Sequence, residues 1–414
     1  MKGGPILTGL AFALLLAITS APAAAENWPR FRGPNGQGHA AAPGLPVTWT
    51  ADDYAWQAAL PGLGHSSPVV WEGRVYVTSA DRETAEQTLL CFDAPTGAEQ
   101  WRRTWAGGPH QQHRTNSFAT PTPAVDADAI YLAWKAGNDV FLAARNHQGD
   151  ELWRRQVAHL DEHHGFGTSP IVVGDVVVLD NQTAEAADSQ IVGVDRTTGA
   201  PRWTVPCATG KTVYATPCLL RRDGRTLAVS ASMGTGVTAL DPQTGAVAWN
   251  ALRQDLPDRC VSSPLIAGDL ALVSCGSGNN GKHLIALRTG PGEPQEIYRV
   301  TKGVPTLPMP IVTDGLMFLW HDRGIVSCYD AATGDLHWQK RIGGMFHSSP
   351  LLVDNRLYCI SLAGAVHVLA ASDEFTELGK TELGEPVTAT PAVADGRMFI
   401  RTEQTLYCLV GEAR

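Results

Sequence analysis

The side chains able to do chemistry fall in short segments: His65, His113-Arg114, His163-His164, Asp180-Asn181, Lys211, Arg259, Trp320-His321 with Arg323, and His347. Imidazoles and a carboxylate suit zinc or a similar ion, with His163 and His164 joined by His113 or Asp180. The same histidines serve equally as solvated loop groups, because no fixed ligand spacing sets them apart. His65 and His347 both stand directly before Ser-Ser-Pro, so drift of a repeated sequence explains them as well as a site does. Arg114, Lys211, Arg259 and Arg323 can hold an anionic ligand through charge-assisted hydrogen bonds, or act as ordinary surface cations. No nucleophile motif is complete, and no two carboxylates pair at a readable distance for glycan hydrolysis. No catalytic residue and no metal site are assigned.

A repeat must position these residues. The phrase Asp-x-x-Thr-Gly-x-x-x-Trp runs from Asp93 to Trp101, Asp195 to Trp203, Asp241 to Trp249 and Asp330 to Trp338, with a looser copy ending at Gly149 and Trp153. Before each copy comes a small residue, Ser or Thr, then proline and an apolar run. Those prolines are Pro68, Pro123, Pro170, Pro217, Pro264, Pro310, Pro350 and Pro391, spaced 55, 47, 47, 47, 46, 40 and 41 residues apart. This period suits four-stranded blades of an all-β propeller. In the unit that starts at Ser348, strands are expected at 350–353, 356–360 and 366–369, with a fourth around 376–378 that has lost its tryptophan. The Thr-Gly pair closes the last hairpin, where glycine tolerates positive φ, and the aspartate accepts backbone N–H groups there. Trp56, Trp101, Trp153, Trp203, Trp249 and Trp338 are then structural wedges between blades.

The last unit has three strands, while Tyr54-Ala55-Trp56-Gln57 stands alone before the first Ser-Ser-Pro. The N-terminal strand therefore completes the final sheet and removes two exposed edges. Eight antiparallel blades over residues 54–414 follow, with a seven-bladed ring as the competitor. Residues 26–53 form an arm rich in Gly and Pro, laid over the propeller surface. Two loop sets converge on one mouth of the central channel, the blade-to-blade links and the links between second and third strands. They carry the candidate residues, and that mouth is the expected binding site.

Composition bounds the partners. Hydrophobic residues make up 44% and charged residues 18% of 414, an ordinary soluble balance. Residues 1–25 read as a secretory signal peptide, with Lys2, an apolar run and Ala23-Ala24-Ala25, too short to span a bilayer. Removing Lys2 takes the formal charge from −9 to −10. An acidic exported chain argues against a nucleic-acid partner, and nothing later in the sequence could cross a membrane. A periplasmic or secreted monomer is expected. None of the eight cysteines is adjacent to another or forms C-x-x-C. Cys91, Cys328 and Cys408 read as small buried hydrophobes, and Cys207–Cys218 and Cys260–Cys275 are the candidate disulfides.

The small-Ser/Thr-Pro start and the Asp-x-x-Thr-Gly-x-x-x-Trp end resemble the pyrroloquinoline-quinone (PQQ)-like propeller repeat over residues 54–413. That repeat is shared by quinoprotein alcohol dehydrogenases and by the propeller subunit of the outer-membrane assembly machine. The opening Asn27-Trp28-Pro29-Arg30-Phe31-Arg32-Gly33-Pro34-Asn35-Gly36 resembles the start of exported bacterial propellers of this type. The resemblance implies one of two functions. In the dehydrogenases the quinone sits between a tryptophan and adjacent cysteines, beside a calcium held by Glu, Asn and Asp. Trp320 could be the platform here and Glu162, Asp180 and Asn181 the calcium ligands, yet adjacent cysteines are missing. The assembly subunit works without a cofactor, and its expected lipid-attachment cysteine is missing here too. The reading adopted is a non-catalytic module binding a protein, peptide or small polar ligand at the mouth, with PQQ and calcium as the alternative.

Overall fold

A computed structural model describes residues 26–411 except 209, 254, 278, 279 and 291, together with Met1 and Gly4. Apart from those two residues, the expected signal peptide lies outside the described residues. Eight antiparallel sheets form the blades of a closed propeller. Within blades 1 to 7 the four antiparallel strands follow in chain order from the axis outwards. Blade 1 runs through Val69–Trp71, Arg74–Ala80, Gln87–Asp93 and Glu99–Trp105. Inner strands are short because they crowd the axis. Second and third strands are buried on both faces between neighbouring blades, so Val176–Asn181 reads as a nearly continuous apolar run. Outer strands alternate in exposure, as Glu99–Trp105 does.

Closure follows the expected route. The strand Tyr54–Ala59 pairs antiparallel with Thr405–Val410, with Trp56 opposite Cys408. Blade 8 therefore joins the first blade strand, Tyr54–Ala59, to the last, Thr405–Val410. Arg401 reinforces this seam. Its guanidinium is buried and donates to the Ser66 carbonyl at 3.1 Å, the Thr78 carbonyl at 2.5 Å and the Ser79 hydroxyl at 2.9 Å, all in or just before blade 1.

The repeated phrase forms an interlocking joint between blades. Asp195 accepts the amides of Thr197 and Thr198 at 3.0 and 2.9 Å, shaping the hairpin that ends at Gly199. Trp153 of the previous blade lays its ring on Gly199 and donates its indole N–H to the Arg196 carbonyl at 2.9 Å. A Cβ on Gly199 would come within 2.5 Å of that ring, and its φ is +68°. Glycine is thus required twice, for the turn and for the tryptophan. The same joint recurs as Trp56 on Ala94 and Gly97, Trp101 on His147 and Gly149, and Trp203 on Pro242 and Gly245. A one-residue register shift next to each tryptophan, as at Cys91/Phe92 and Gly193/Val194, turns the ring towards its neighbour.

Four joints depart from the pattern, two of them mildly: Tyr298 replaces the tryptophan on Gly334 and the Ala331 carbonyl, and Trp338 bonds the Ser372 carbonyl of a hairpin without glycine. Trp249 is partly buried, as Trp101 and Trp203 are, but the hairpin it faces carries Arg288-Thr289-Gly290, without the aspartate. Blade 7 has Gly379 near the lost tryptophan, and there the arm moves in. A Cβ on Gly379 would lie 2.2 Å from the Val47 carbonyl, while Trp49 is buried among blade 7 and blade 8 side chains. The arm thus supplies a tryptophan that its host blade lacks.

All eight cysteines are free. The expected Cys207–Cys218 pair fails because Cys207 follows an outer strand whereas Cys218 begins an inner one. Cys260 and Cys275 share one apolar cluster but remain thiols. Burial pushes Cys275 up to about 11, so it packs as a hydrophobe.

Candidate functional site: the channel

The residue before each repeat proline forms a belt around the axis. Its hydroxyl accepts the backbone N–H of the equivalent residue in the preceding blade. The links run Ser67 to Thr122, Thr122 to Ser169, Ser169 to Thr216 and Thr216 to Ser263, between 2.8 and 3.3 Å. Beyond the gap at Met309, they continue to Ser349, to Thr390 and back to Ser67. The Ser/Thr-Pro signature is thereby explained as an inter-blade bond at the axis. Met309 occupies the sixth position and puts a thioether where the other blades have a hydroxyl.

Two residues earlier in every blade lies a second ring: His65, Thr120, Gly167, Tyr214, Val261, Leu307, His347 and Thr388. Both rings wall one cavity of about 270 Å³. It opens into a shallower vestibule of about 500 Å³ beside Arg82 and Arg114. At the other end the arm acts as a stopper. Arg30 donates to the Pro217 carbonyl at 3.0 Å, and Arg32 donates to the Pro310 and Pro350 carbonyls at 3.3 and 2.9 Å. Both guanidiniums are buried. Asn35 and Gln37 bind the backbone of blades 4 and 5, and His39–Ala40 pairs parallel with Leu352–Val353. Phe31, held between the two arginines, lines the cavity as its floor. The arm was expected merely to cover the surface; it closes the channel.

The structure sorts the candidate residues. His65, His113, His164, Arg259 and His347 line the cavity, and Arg114 lines the vestibule. His113 and His164 stack at 5.8 Å between ring centroids. His164 Nδ1 lies 2.6 Å from Glu162, which also accepts from Thr212 at 2.7 Å. Burial pushes the Glu162 carboxyl up, but these bonds and the His164 amide outweigh it and hold it at about 2. Burial, aided by Arg401, His347 and Arg82, drives His65 down to about 3. Burial also lowers His347. Both therefore stand as neutral imidazoles at neutral pH, hydrogen-bonding groups rather than cations.

Other candidates lie elsewhere. Asp180 is buried in a network with Gln182 and Ser230 between blades 3 and 4, and burial raises it to about 6 against the bonds it accepts. Asn181 donates to the His159 and Asp188 carbonyls at 3.0 Å. Trp320 is fully buried and packs edge-on against Phe346. Lys211 is paired with Asp258 at 2.6 Å. His163 and Arg323 are exposed, and neither they nor His321 line the cavity. Asp180, Asn181 and Trp320, at the ends of second strands, thus turn between blades rather than into the funnel, whereas the second-to-third-strand links of blades 1, 7 and 8 reach the vestibule through Arg82, Leu362 and Glu403. Sequence reasoning missed Phe31 and Tyr214. Tyr214 was legible, since it precedes Thr216 as His65 precedes Ser67.

The PQQ and calcium arrangement fits this lining poorly. Calcium needs several oxygen ligands with carboxylates among them, and no Asp or Glu lines the cavity among the described residues. Asp180 and Glu162 are committed to protein partners, and Trp320 offers no exposed face. No group of three or more His, Cys, Asp or Glu suited to a metal ion occurs among the described residues.

Known proteins frame this geometry. The chain is 24% identical over 374 residues to the outer membrane protein assembly factor BamB of Burkholderia pseudomallei, covering 84% of this chain and 85% of that protein. Among solved structures, BamB from Moraxella catarrhalis aligns with a TM-score of 0.63 and 15% identity, covering 87% of this chain and 98% of that one. A europium-containing methanol dehydrogenase aligns at 0.68 and 13% identity, covering 92% and 98%. The quinohemoprotein alcohol dehydrogenase from Comamonas testosteroni aligns at 0.68 and 14%, covering 94% and 81%. These structural likenesses establish the fold alone. The family model described as outer membrane protein assembly factor BamB matches residues 47–159, 142–303 and 296–377, and with that coverage the chain belongs to this family of PQQ-like propellers.

Proposed function

We propose that this protein is an exported, non-catalytic binding module of the cell envelope that engages a protein, peptide or small polar ligand at its channel mouth. Its family membership supports a scaffold or assembly role, because the relatives carry the name of an assembly factor. One observation carries the choice of surface: the channel is a blind cavity whose lining mixes imidazoles, one guanidinium and hydroxyls without a carboxylate among the described residues. Rigid walls with variable lining residues suit recognition. No helix among the described residues is long and apolar enough to cross a membrane.

The competing reading, a PQQ-dependent alcohol or sugar dehydrogenase, draws on the fold shared with the methanol and alcohol dehydrogenases. Titrating the purified mature chain with PQQ and calcium, followed by absorbance and a dye-linked alcohol assay, separates the two. The binding-module reading expects neither stoichiometric uptake nor turnover. Uptake with turnover would replace it.

A further inference from the structure

The cavity holds two polar groups whose hydrogen bonds lead nowhere in the protein. The Tyr214 hydroxyl and the Arg259 Nε are both buried without a partner among the described residues, and both residues line the cavity. Seven other arginines leave Nε unpaired but bond through their terminal nitrogens, whereas Arg259 has no guanidinium hydrogen bond at all among the described residues. With the Tyr214 hydroxyl on the same wall, that calls for an acceptor from outside. Neighbouring cations differ. Lys211 and Lys282 are matched with Asp258 at 2.6 Å and Asp322 at 2.8 Å, whereas Arg259 makes no ion pair among the described residues. Gly167 leaves the room the tyrosine ring occupies, since a Cβ there would lie 3.2 Å from it.

The opposite end of the cavity is apolar. Phe31 packs against the cluster that contains Met309, and Leu307 stands beside them in the lining. Met309 is the one belt position without a hydroxyl, and Phe31 comes from the arm rather than from any blade. A ligand complementary to this space has an acceptor-only anionic end and an apolar body. It has no reason to be cationic, because even a chain with net charge −9 places no Asp or Glu in this lining.

We infer that the cavity is a receptor for an organic carboxylate carrying an apolar group, either a free acid or the C-terminal end of a peptide. The carboxylate accepts from the Arg259 guanidinium and the Tyr214 hydroxyl, while its apolar part rests on Phe31 and Met309. This inference deepens the channel-mouth reading and depends on it.

Calorimetric titration of the mature chain with phenylacetate, phenylacetamide, inorganic phosphate and a short peptide, with a free or amidated C-terminus, tests it. Phenylacetate should bind at least about tenfold tighter than its uncharged amide, the scale of a charge-assisted hydrogen bond. Arg259→Gln should weaken phenylacetate about tenfold or more, and Tyr214→Phe several-fold, roughly what one lost hydrogen bond gives. Arg225→Gln, on an exposed hairpin, should leave affinity unchanged. A free-ended peptide that outcompetes phenylacetate identifies the source as a chain end; the reverse identifies a small acid. Equal binding of acid and amide would overturn the proposal, as would phosphate binding as tightly as phenylacetate. Insensitivity to both substitutions would do the same. If Arg259→Gln does not fold, the acid-to-amide ratio on the native chain and Tyr214→Phe decide. Absence of any carboxylate binding, with a protein partner still crosslinking at Asn116, which lines both the cavity and the vestibule, would sink this inference and leave the channel-mouth reading standing.

Discussion

The rim and the axis of this propeller are built from the same repeat, yet they use it in opposite ways. At the rim, Trp56, Trp101, Trp153 and Trp203 each dock on a glycine and a carbonyl of the next blade, with nearly one geometry throughout. At the axis, the belt residue keeps its hydroxyl in every blade but one, while the position two residues earlier varies from glycine to tyrosine. A side chain that must bond to its own copy next door has no freedom to change. A side chain that faces the open channel has no such partner. Uniformity therefore marks structure and variation marks the place where a ligand can be selected.

Substitutions sharpen this contrast. Trp153→Ala should have the largest effect, a loss of about 3–5 kcal/mol in urea unfolding, because it removes a buried aromatic and empties the glycine dock. Trp249→Ala should cost less, since that ring is less buried than Trp153 and faces a hairpin that lacks the aspartate. Equal costs would mean that the dock contributes little.

Asp180 belongs with the structural set, and pH exposes it. Its folded-state pKa is raised from 3.8 to about 6 by burial. The stabilisation it offers is therefore full below the unfolded value and lost as pH rises through 6. Stability attributable to this group should fall by about 2 kcal/mol from about pH 4.5 to pH 7.5. Asp180→Asn should remove that component from the urea midpoints. An unchanged pH profile in the variant would contradict the burial argument.

Smaller effects are expected at the belt. Ser349→Ala leaves the Met309 amide without its acceptor at 3.0 Å and should cost about 1–2 kcal/mol in thermal melts. Met309→Thr offers the missing hydroxyl to the Ser263 amide and should stabilise by roughly 0.5–1 kcal/mol. It should also weaken any ligand that rests on the apolar floor. Stabilisation without loss of binding would remove Met309 from the site.

Much of this architecture was readable from residue types. The aspartate, glycine and tryptophan spacing located the hairpins and the rim, and the lone Tyr54–Gln57 strand located the seam. The unread parts share a cause: they are long-range contacts that leave no local periodicity. Arg32 reaches Pro350 across 318 residues of sequence, and nothing around Arg32 signals that its guanidinium plugs a channel. Trp49 fills a joint belonging to blade 7, whose own sequence shows only a missing tryptophan. Asp180, Asn181 and Trp320 were assigned to the mouth by loop order. A strand end, however, alternates between funnel and blade interface one residue at a time, and the loop rule does not fix which side a given residue takes. His65, Tyr214 and His347 share one offset from the proline, and that register, rather than residue chemistry, identified the wall.

Paired thermal melts of Arg259→Gln and Trp153→Ala, each with and without saturating phenylacetate, test the division between rim and axis most directly. The predicted result is crossed. Trp153→Ala melts lower but keeps the ligand-induced rise, and Arg259→Gln melts near the wild type and loses it. If both variants lose stability and ligand response together, the rim and the axis are not separate in function, and the assignment of the channel wall to binding fails.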